Sequence, residues 1–163
     1  MTDQAQTTTL DARIKQAISN LLSAEQNGEG SLLNMPIPYP SGALVVLEIV
    51  PNAGSYFVSD VGFGFQEAEA YGAQGFYSHS AKQAAQKFGV SFDGYSIFSQ
   101  WVGDSGLESA LVYVANASKN AAERAIERAI EEKSSQKTDE LFDRVEKIFG
   151  PKMVRRKLEI PGR

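Results

Sequence analysis

The chain has 163 residues, 42% of them hydrophobic and 22% charged, with no cysteine, one histidine and a formal net charge of −4. That size fits one domain with a short appendage, and that composition excludes wholesale disorder; missing thiols exclude disulfides, a cysteine nucleophile and a thiolate-held metal. No apolar run reaches the 18 residues of a membrane span, and Met1–Thr9 has no apolar core of a secretory signal, so a bacterial cytoplasm is the expected setting, for a bacterial or phage protein.

Leu10, Ile14, Ala17, Ile18, Leu21 and Leu22 recur at helical spacing, with Thr8 or Thr9 as cap. Asn27-Gly28-Glu29-Gly30-Ser31 reads as a flexible loop that ends this helix. Leu32 to Pro40 carries prolines at 36, 38 and 40, which cannot donate to a ladder, so it is an edge strand at best. Ala43 to Val50 is nearly all apolar and is the clearest strand. Pro51 to Gly54 turns the chain, and Ser55 to Val61 pairs back as a hairpin. A short helix is expected over Gln66 to Tyr71. A second is expected over Ser80 to Phe88, with Ser80 and Gln83 as a capping box and Gly89 as its stop.

Val90–Phe92, Asp93-Gly94 and Tyr95–Trp101 read as a second hairpin closed by a two-residue turn. Tyr95 and Ile97 then point one way and Phe98 the other. A long helix runs from Ser105 to Lys133, with Arg124–Glu127 and Arg128–Glu132 as surface pairs. Ser134 to Lys137 is a linker. Thr138 caps a last helix with Leu141, Phe142, Val145, Ile148 and Phe149 inside, ended by Gly150-Pro151. Residues 153–160 alternate as a strand does. The expected class is therefore α+β: an antiparallel sheet from two hairpins, flanked by the N-terminal and the long helix. Residues 1–133 form the domain, and 134–163 a helix–strand appendage that packs back or mediates self-association as a homodimer.

Charge divides the chain. Up to Ala117 there are four basic and eleven acidic residues; from Ser118 onward there are twelve basic and nine acidic. An acidic body repels a phosphate backbone, so any nucleic-acid contact falls to the C-terminal third. Lys152, Arg155, Arg156 and Lys157 are its basic cluster, but no aromatic residue interleaves them. A solvated edge, or a patch facing an acidic protein, is the stronger reading.

Few residues carry catalytic chemistry. Asp60, beside Gly62 and Gly64, reads either as a metal- or phosphate-facing carboxylate or, more simply, as a turn former accepting backbone N–H groups. Glu48 and Asp60 on paired strands suggest a metal-dependent nuclease, which also needs a lysine two residues beyond a carboxylate; Ile49-Val50 follow instead. Gly62-x-Gly64 lacks the third glycine and the βαβ frame of a dinucleotide site. His79 neighbours Ser78 and Ser80 outside any nucleophile elbow, so a surface or capping role fits better. Twelve aromatic residues lie between Tyr56 and Trp101, most of them expected in the core and some in an exposed protein-binding patch.

Met35-Pro36-Ile37-Pro38-Tyr39, the strand Leu44 to Ile49, and Ser55 to Gly62 closing in Ser-Asp-x-Gly resemble the DUF1828-like family of uncharacterised bacterial and phage proteins. Phe88-Gly89-Val90 and Phe92-Asp93-Gly94 are similar to the next segment of such proteins. The resemblance covers about residues 32–100. It implies a setting in mobile genetic elements near phage-defence genes, with no activity attached. In longer relatives a second domain comes next whose opening resembles Arg155 to Gly162, which implies a second domain cut short here by truncation or natural shortening.

The residues together suggest a non-catalytic protein-binding module, acting in defence or counter-defence by docking on a protein partner through Arg155, Arg156, Lys157, Tyr95, Phe98 or Trp101. No cofactor or metal is expected. A nucleic-acid binder using the basic C-terminal segment is the alternative, and a metal-dependent nuclease the third.

Overall fold

In the computed structural model, which describes residues 10–17, 19 and 22–150, helix α1 covers 10–17 and leaves Leu10 and Ile14 exposed. The chain divides into two units, Met1–Ile126 and Glu127–Arg163. The first is α+β, as its patterning requires. Its sheet holds seven antiparallel strands among the described residues: β1 (Ser23–Asn27), β2 (Gly30–Pro38), β3 (Leu44–Asn52), β4 (Ser55–Ser59), β5 (Ser91–Phe92), β6 (Ile97–Phe98) and β7 (Val102–Gly103). They lie in the order β1-β2-β3-β4-β6-β5, and β7 also pairs with β4.

The first correction falls at the N-terminal edge. Asn27 to Ser31 is not a loop ending a helix but the tip of a hairpin, with Asn27↔Gly30 closing β1 on β2. Ser-Ala-Glu-Gln-Asn shows no alternation and weak strand preference; pairing with β2, not propensity, makes it a strand. The same pairing makes β2 an inner strand. Its prolines stay tolerable because β1 stops at Ser23↔Asn34, and the β2–β3 register slips between Asn34 and Pro38. Pro36 and Pro38 therefore sit where no neighbour asks for their missing N–H.

The central hairpin β3–β4 sets the core. Val45, Leu47 and Val58 are wholly buried on one face, with Leu33 of β2 opposite Leu47. Each such side chain stabilises the fold by roughly 1.5–3 kcal/mol. The hairpin closes on Ala53-Gly54, with φ of 47° and 80°, the two left-handed positions of a type I′ turn.

Helix α2 (Phe63–Ala70) and helix α3 (Gln74–Phe88) follow β4. α3 starts six residues before the expected Ser80, and Ser80 is buried mid-helix, so the capping box does not form. Tyr77 on the added turn is wholly buried, and that anchor outweighs Gly75, which reads as a breaker in isolation. Gly89, with φ of 68°, ends α3 as expected.

Helix α4 runs unbroken from Asp104 to Phe149. In the first unit it buries small residues: Ala110, Val114, Ala117, Ser118, Ala121 and Ala125. Arg124 reaches Gln83 Oε1 on α3 at 3.4 Å rather than pairing along its own helix, and Lys119 binds Glu123 at 2.7 Å. The second unit corrects the expected linker. Ser134 to Lys137 is helical, and the Thr138 hydroxyl donates to the Ser134 carbonyl at 2.9 Å instead of capping. The stretch contains no glycine or proline, so nothing in it breaks a helix. The expected strand over 153–160 lies outside the described residues.

The turn geometry yields a stability prediction. Ala53 holds a conformation that costs an L-residue about 1–2 kcal/mol. Ala53→Asn should therefore raise the melting temperature by about 2–4 °C, and Gly54→Ala should lower it similarly. A lower melting temperature for Ala53→Asn would contradict the turn assignment.

Candidate functional site

Ser59-Asp60-Val61-Gly62 carries the chain from β4 into α2, and each residue has a local task. The Ser59 hydroxyl accepts the Val61 N–H at 3.0 Å. Asp60 Oδ1 accepts the Gly62 N–H at 3.0 Å, an Asx-type turn. Val61 sits at φ 44° and Gly62 at φ 79°, consecutive left-handed residues that only a tightly held turn keeps in place.

Asp60 does more than make the turn. Its side chain is wholly buried. Oδ1 also accepts the Ile97 N–H of β6 at 2.8 Å, and Oδ2 accepts the Ser118 hydroxyl of α4 at 2.5 Å. The Ser118 hydroxyl also shares a hydrogen bond with the Tyr39 hydroxyl, from the β2–β3 connection, at 2.6 Å. One carboxylate thus ties β4, the start of α2, β6 and α4 together, with the β2–β3 turn one bond further. That turn is clamped again by Ser41, whose N–H and hydroxyl both donate to the Glu67 carboxylate on α2 at 2.9 Å.

Burial pushes the Asp60 carboxyl above its usual 3.8, against hydrogen bonds from Ser118, Ile97, Gly62 and Gly64 that pull it down. Burial also pushes the Tyr39 and Tyr77 phenols up. The Tyr77 hydroxyl and Ser80 Oγ are buried with no hydrogen-bond partner among the described residues.

The glycine pair has a packing explanation. A Cβ on Gly62 would overlap the Tyr95 ring. One on Gly64 would lie 2.6 Å from Ser118 Oγ and 2.7 Å from the Tyr77 hydroxyl. Gly64 therefore makes room for the polar cluster, and Gly62 for the Tyr95 ring.

A second feature lies along the outer edge of β4. Ser59 pairs with Phe98, while Tyr56 pairs with Val102 and Ser55 with Gly103. The register steps by one residue between these pairs, so Gln100 and Trp101 together face Phe57 in a β-bulge. Ser99 anchors the bulge: its N–H donates to the Val58 carbonyl at 2.8 Å, and its hydroxyl accepts the Val58 N–H at 3.2 Å. The extra residue brings Phe98 and Trp101 to the same side. Their rings lie 5.4 and 5.6 Å from Phe57. Trp101 remains 50% exposed.

This geometry sorts the expected binding residues. Phe98 and Trp101 come together around Phe57, a partner that strand alternation alone does not single out. Tyr95 goes elsewhere: it packs on Phe65 at 5.1 Å, its hydroxyl accepts Gln66 Nε2 at 3.2 Å, and it is 43% exposed. The turn that carries Tyr95 is also longer than expected. Asp93 to Ser96 form a four-residue loop, because Asp93 Oδ1 accepts the N–H groups of Tyr95 at 2.9 Å and Ser96 at 2.7 Å. Arg155, Arg156 and Lys157 lie outside the described residues. His79 is exposed on α3. Glu48 is half-buried opposite Ser59, without a lysine beside it.

An open cavity of about 290 Å³ lies beside the cluster, lined by Tyr39, Ala43, Leu44, Val46, Phe63, Gln66 and Glu67. Both oxygens of its one carboxylate, Glu67, are already taken by Ser41. Among the described residues no three of His, Asp and Glu gather as a metal site would require. No helix among them is long and apolar enough to cross a membrane.

No protein-family model, curated protein or solved structure matches the chain.

The buried carboxylate gives the second prediction. Asp60→Ala strands three N–H groups and a hydroxyl, and should cost about 3 kcal/mol or more. Asp60→Asn keeps the Oδ1 bonds and should cost about 1–2 kcal/mol near neutral pH. A carboxyl whose folded pKa is raised favours folding while protonated, so its contribution falls as pH rises from below 3.8 through the folded value. Wild type should therefore lose stability relative to Asp60→Asn across that interval in paired denaturant titrations. A difference moving the other way would show that the carboxyl is depressed, not raised.

Proposed function

We propose that the protein is a non-catalytic protein-binding module of the cytoplasm that docks a protein partner through the aromatic edge Phe57–Phe98–Trp101. The observation that carries this reading is the bulge at Gln100–Trp101, which gathers three aromatic rings on one face and leaves the tryptophan half in water. Large, rigid aromatic side chains give much contact area for little lost side-chain freedom, which is why tryptophan dominates binding hot spots.

Asp60 supports the non-catalytic side of the proposal. Its oxygens are occupied by backbone N–H groups and Ser118 within a fully buried cluster, so it serves the fold. The acidic balance up to Ala117 favours a protein over a nucleic-acid partner at the aromatic edge. The resemblance of residues 32–100 to the DUF1828-like family supports a setting in a phage or mobile element, with a role in defence or counter-defence. Arg155, Arg156 and Lys157 add an electrostatic contribution toward an acidic partner.

The test is affinity capture from the native host, followed by titration of the captured partner. Trp101→Ala should weaken binding by about tenfold or more, with the fold intact by circular dichroism. Replacing Arg155, Arg156 and Lys157 by Ala should flatten the salt dependence, because exposed charges are screened beyond about 8 Å at physiological ionic strength. Unchanged affinity of Trp101→Ala would remove the aromatic edge as the docking surface. A steep log–log salt slope with both DNA and RNA would replace the protein partner with nucleic acid.

A further inference from the structure

Glu67 carries a charge that its structural task does not require. It lies on α2, 9% exposed, and its carboxylate clamps the β2–β3 connection through Ser41. A glutamine could hold the same two groups, accepting the Ser41 N–H and donating its amide to the Ser41 hydroxyl, without the cost of taking a charge out of water. No lysine, arginine or histidine among the described residues pairs with Glu67, and the sequence has no lysine or arginine between Lys15 and Lys82. The part of the chain up to Ala117, with four basic and eleven acidic residues, draws cations from solution instead of supplying them.

That charge lines the open cavity of about 290 Å³. Apart from Gln66, the rest of the lining is apolar: Leu44, Val46 and the rings of Tyr39 and Phe63 among it. The volume is at the small end of ligand sites, which run from roughly 300 to 1,000 Å³. The polar capacity left in the cavity is of one kind. Ser41 uses one acceptor position on each Glu67 oxygen, and each oxygen has a second. Gln66 gives its Nε2 to the Tyr95 hydroxyl, which leaves its Oε1 to accept. The Tyr39 hydroxyl is committed to Ser118. The cavity thus offers acceptors, one negative charge and two aromatic rings, and no free side-chain donor.

The complement of such a lining is a cation that donates hydrogen bonds and carries an apolar body. A metal ion needs more ligating oxygens than one carboxylate gives. A guanidinium docks along both oxygens of a carboxylate at once, and Ser41 already holds a position on each. An ammonium is compact, points three N–H groups at separate acceptors and is attracted to aromatic faces. We propose that this cavity binds a small organic primary amine, its ammonium on Glu67 and Gln66 and its hydrocarbon body against Tyr39, Phe63, Leu44 and Val46. The site shares no residue with the aromatic edge and does not depend on that edge docking a protein.

The probe is 2-phenylethylamine, with 2-phenylethanol as its neutral counterpart and 3-phenylpropanoate as its anionic one, each titrated into the full-length protein and followed by amide NMR shifts. The amine should give saturable shifts at Leu44, Val46, Gln66 and Glu67 with a dissociation constant of about 1 mM, in keeping with so small a ligand. The alcohol should bind about tenfold more weakly, and the carboxylate should not bind. Glu67→Gln, which keeps the Ser41 clamp, should bring the amine down to the affinity of the alcohol and leave the alcohol unchanged. Ala43→Trp, at the exposed rim of the cavity, should abolish the binding of both and gives a second reading should Glu67→Gln fail to fold. Trp101→Ala should leave amine binding unchanged, so failure of this site and failure of the aromatic edge are separately visible. No saturable shift at about twenty times the expected constant overturns the proposal, as do shifts confined to acidic residues elsewhere. Alcohol or carboxylate binding as tightly as the amine, or full amine affinity in either cavity variant, overturns it as well.

Discussion

A carboxylate removed from water must find its hydrogen-bond donors inside the protein, and Asp60 finds them on several elements at once. Ile97 comes from β6, Ser118 from α4, Gly62 and Gly64 from the start of α2, and the carboxylate itself hangs from the end of β4. Desolvation works against the ionised group, so the arrangement persists only where those donors converge with good geometry. The demand propagates outward. Gly64 lacks a side chain because Ser118 and Tyr77 occupy the space, Gly62 lacks one because Tyr95 does, and Val61 accepts a strained backbone because the bonds on either side of it are fixed. The sheet alone would pair its strands; the Asp60 cluster also sets where α2 begins and where α4 meets the first unit.

The aromatic edge depends on the same frame. β6 is only two residues long and one of them, Ile97, is held by Asp60. From that fixed point the chain reaches β7 with one residue too many for its partner strand, and the surplus turns Trp101 toward Phe57. A polar node inside and an aromatic surface outside are thus two ends of the strip Ile97 to Gly103.

The parts of this architecture that were legible in the residues are those governed by local rules. The apolar run Ala43 to Val50, a turn within Pro51 to Gly54, the stop at Gly89 and the long helix from Ser105 all follow from periodicity and backbone preference, as does the reading of Asp60 as a residue that accepts backbone N–H groups; Pro51 and Asn52 extend the strand instead of turning. The parts that were not legible are decided by pairing at a distance. Ser23 to Asn27 has no strand pattern and becomes a strand only beside β2. The bulge at Gln100–Trp101 leaves no mark in the sequence, because nothing in Ser-Gln-Trp says that its partner strand is one residue shorter; alternation alone separates Phe98 from Trp101. The union of Asp60 with Ser118 spans 58 positions and joins two residue types that are individually ordinary. Ser134 to Lys137 misled in the opposite sense, since small polar residues read as a linker although none of them breaks a helix.

Native-state hydrogen exchange, followed amide by amide, addresses the Asp60 constraint directly. The amides of Gly62, Gly64 and Ile97 lie in a turn, a first helical turn and a two-residue strand, places where exchange is ordinarily fast. If Asp60 holds them as described, they should exchange only through global unfolding, with the same free energy and the same denaturant dependence as Val45 and Leu47 in the core of the sheet. Exchange of those three amides at the rates of an unprotected chain, while Val45 and Leu47 stay protected, would contradict the account.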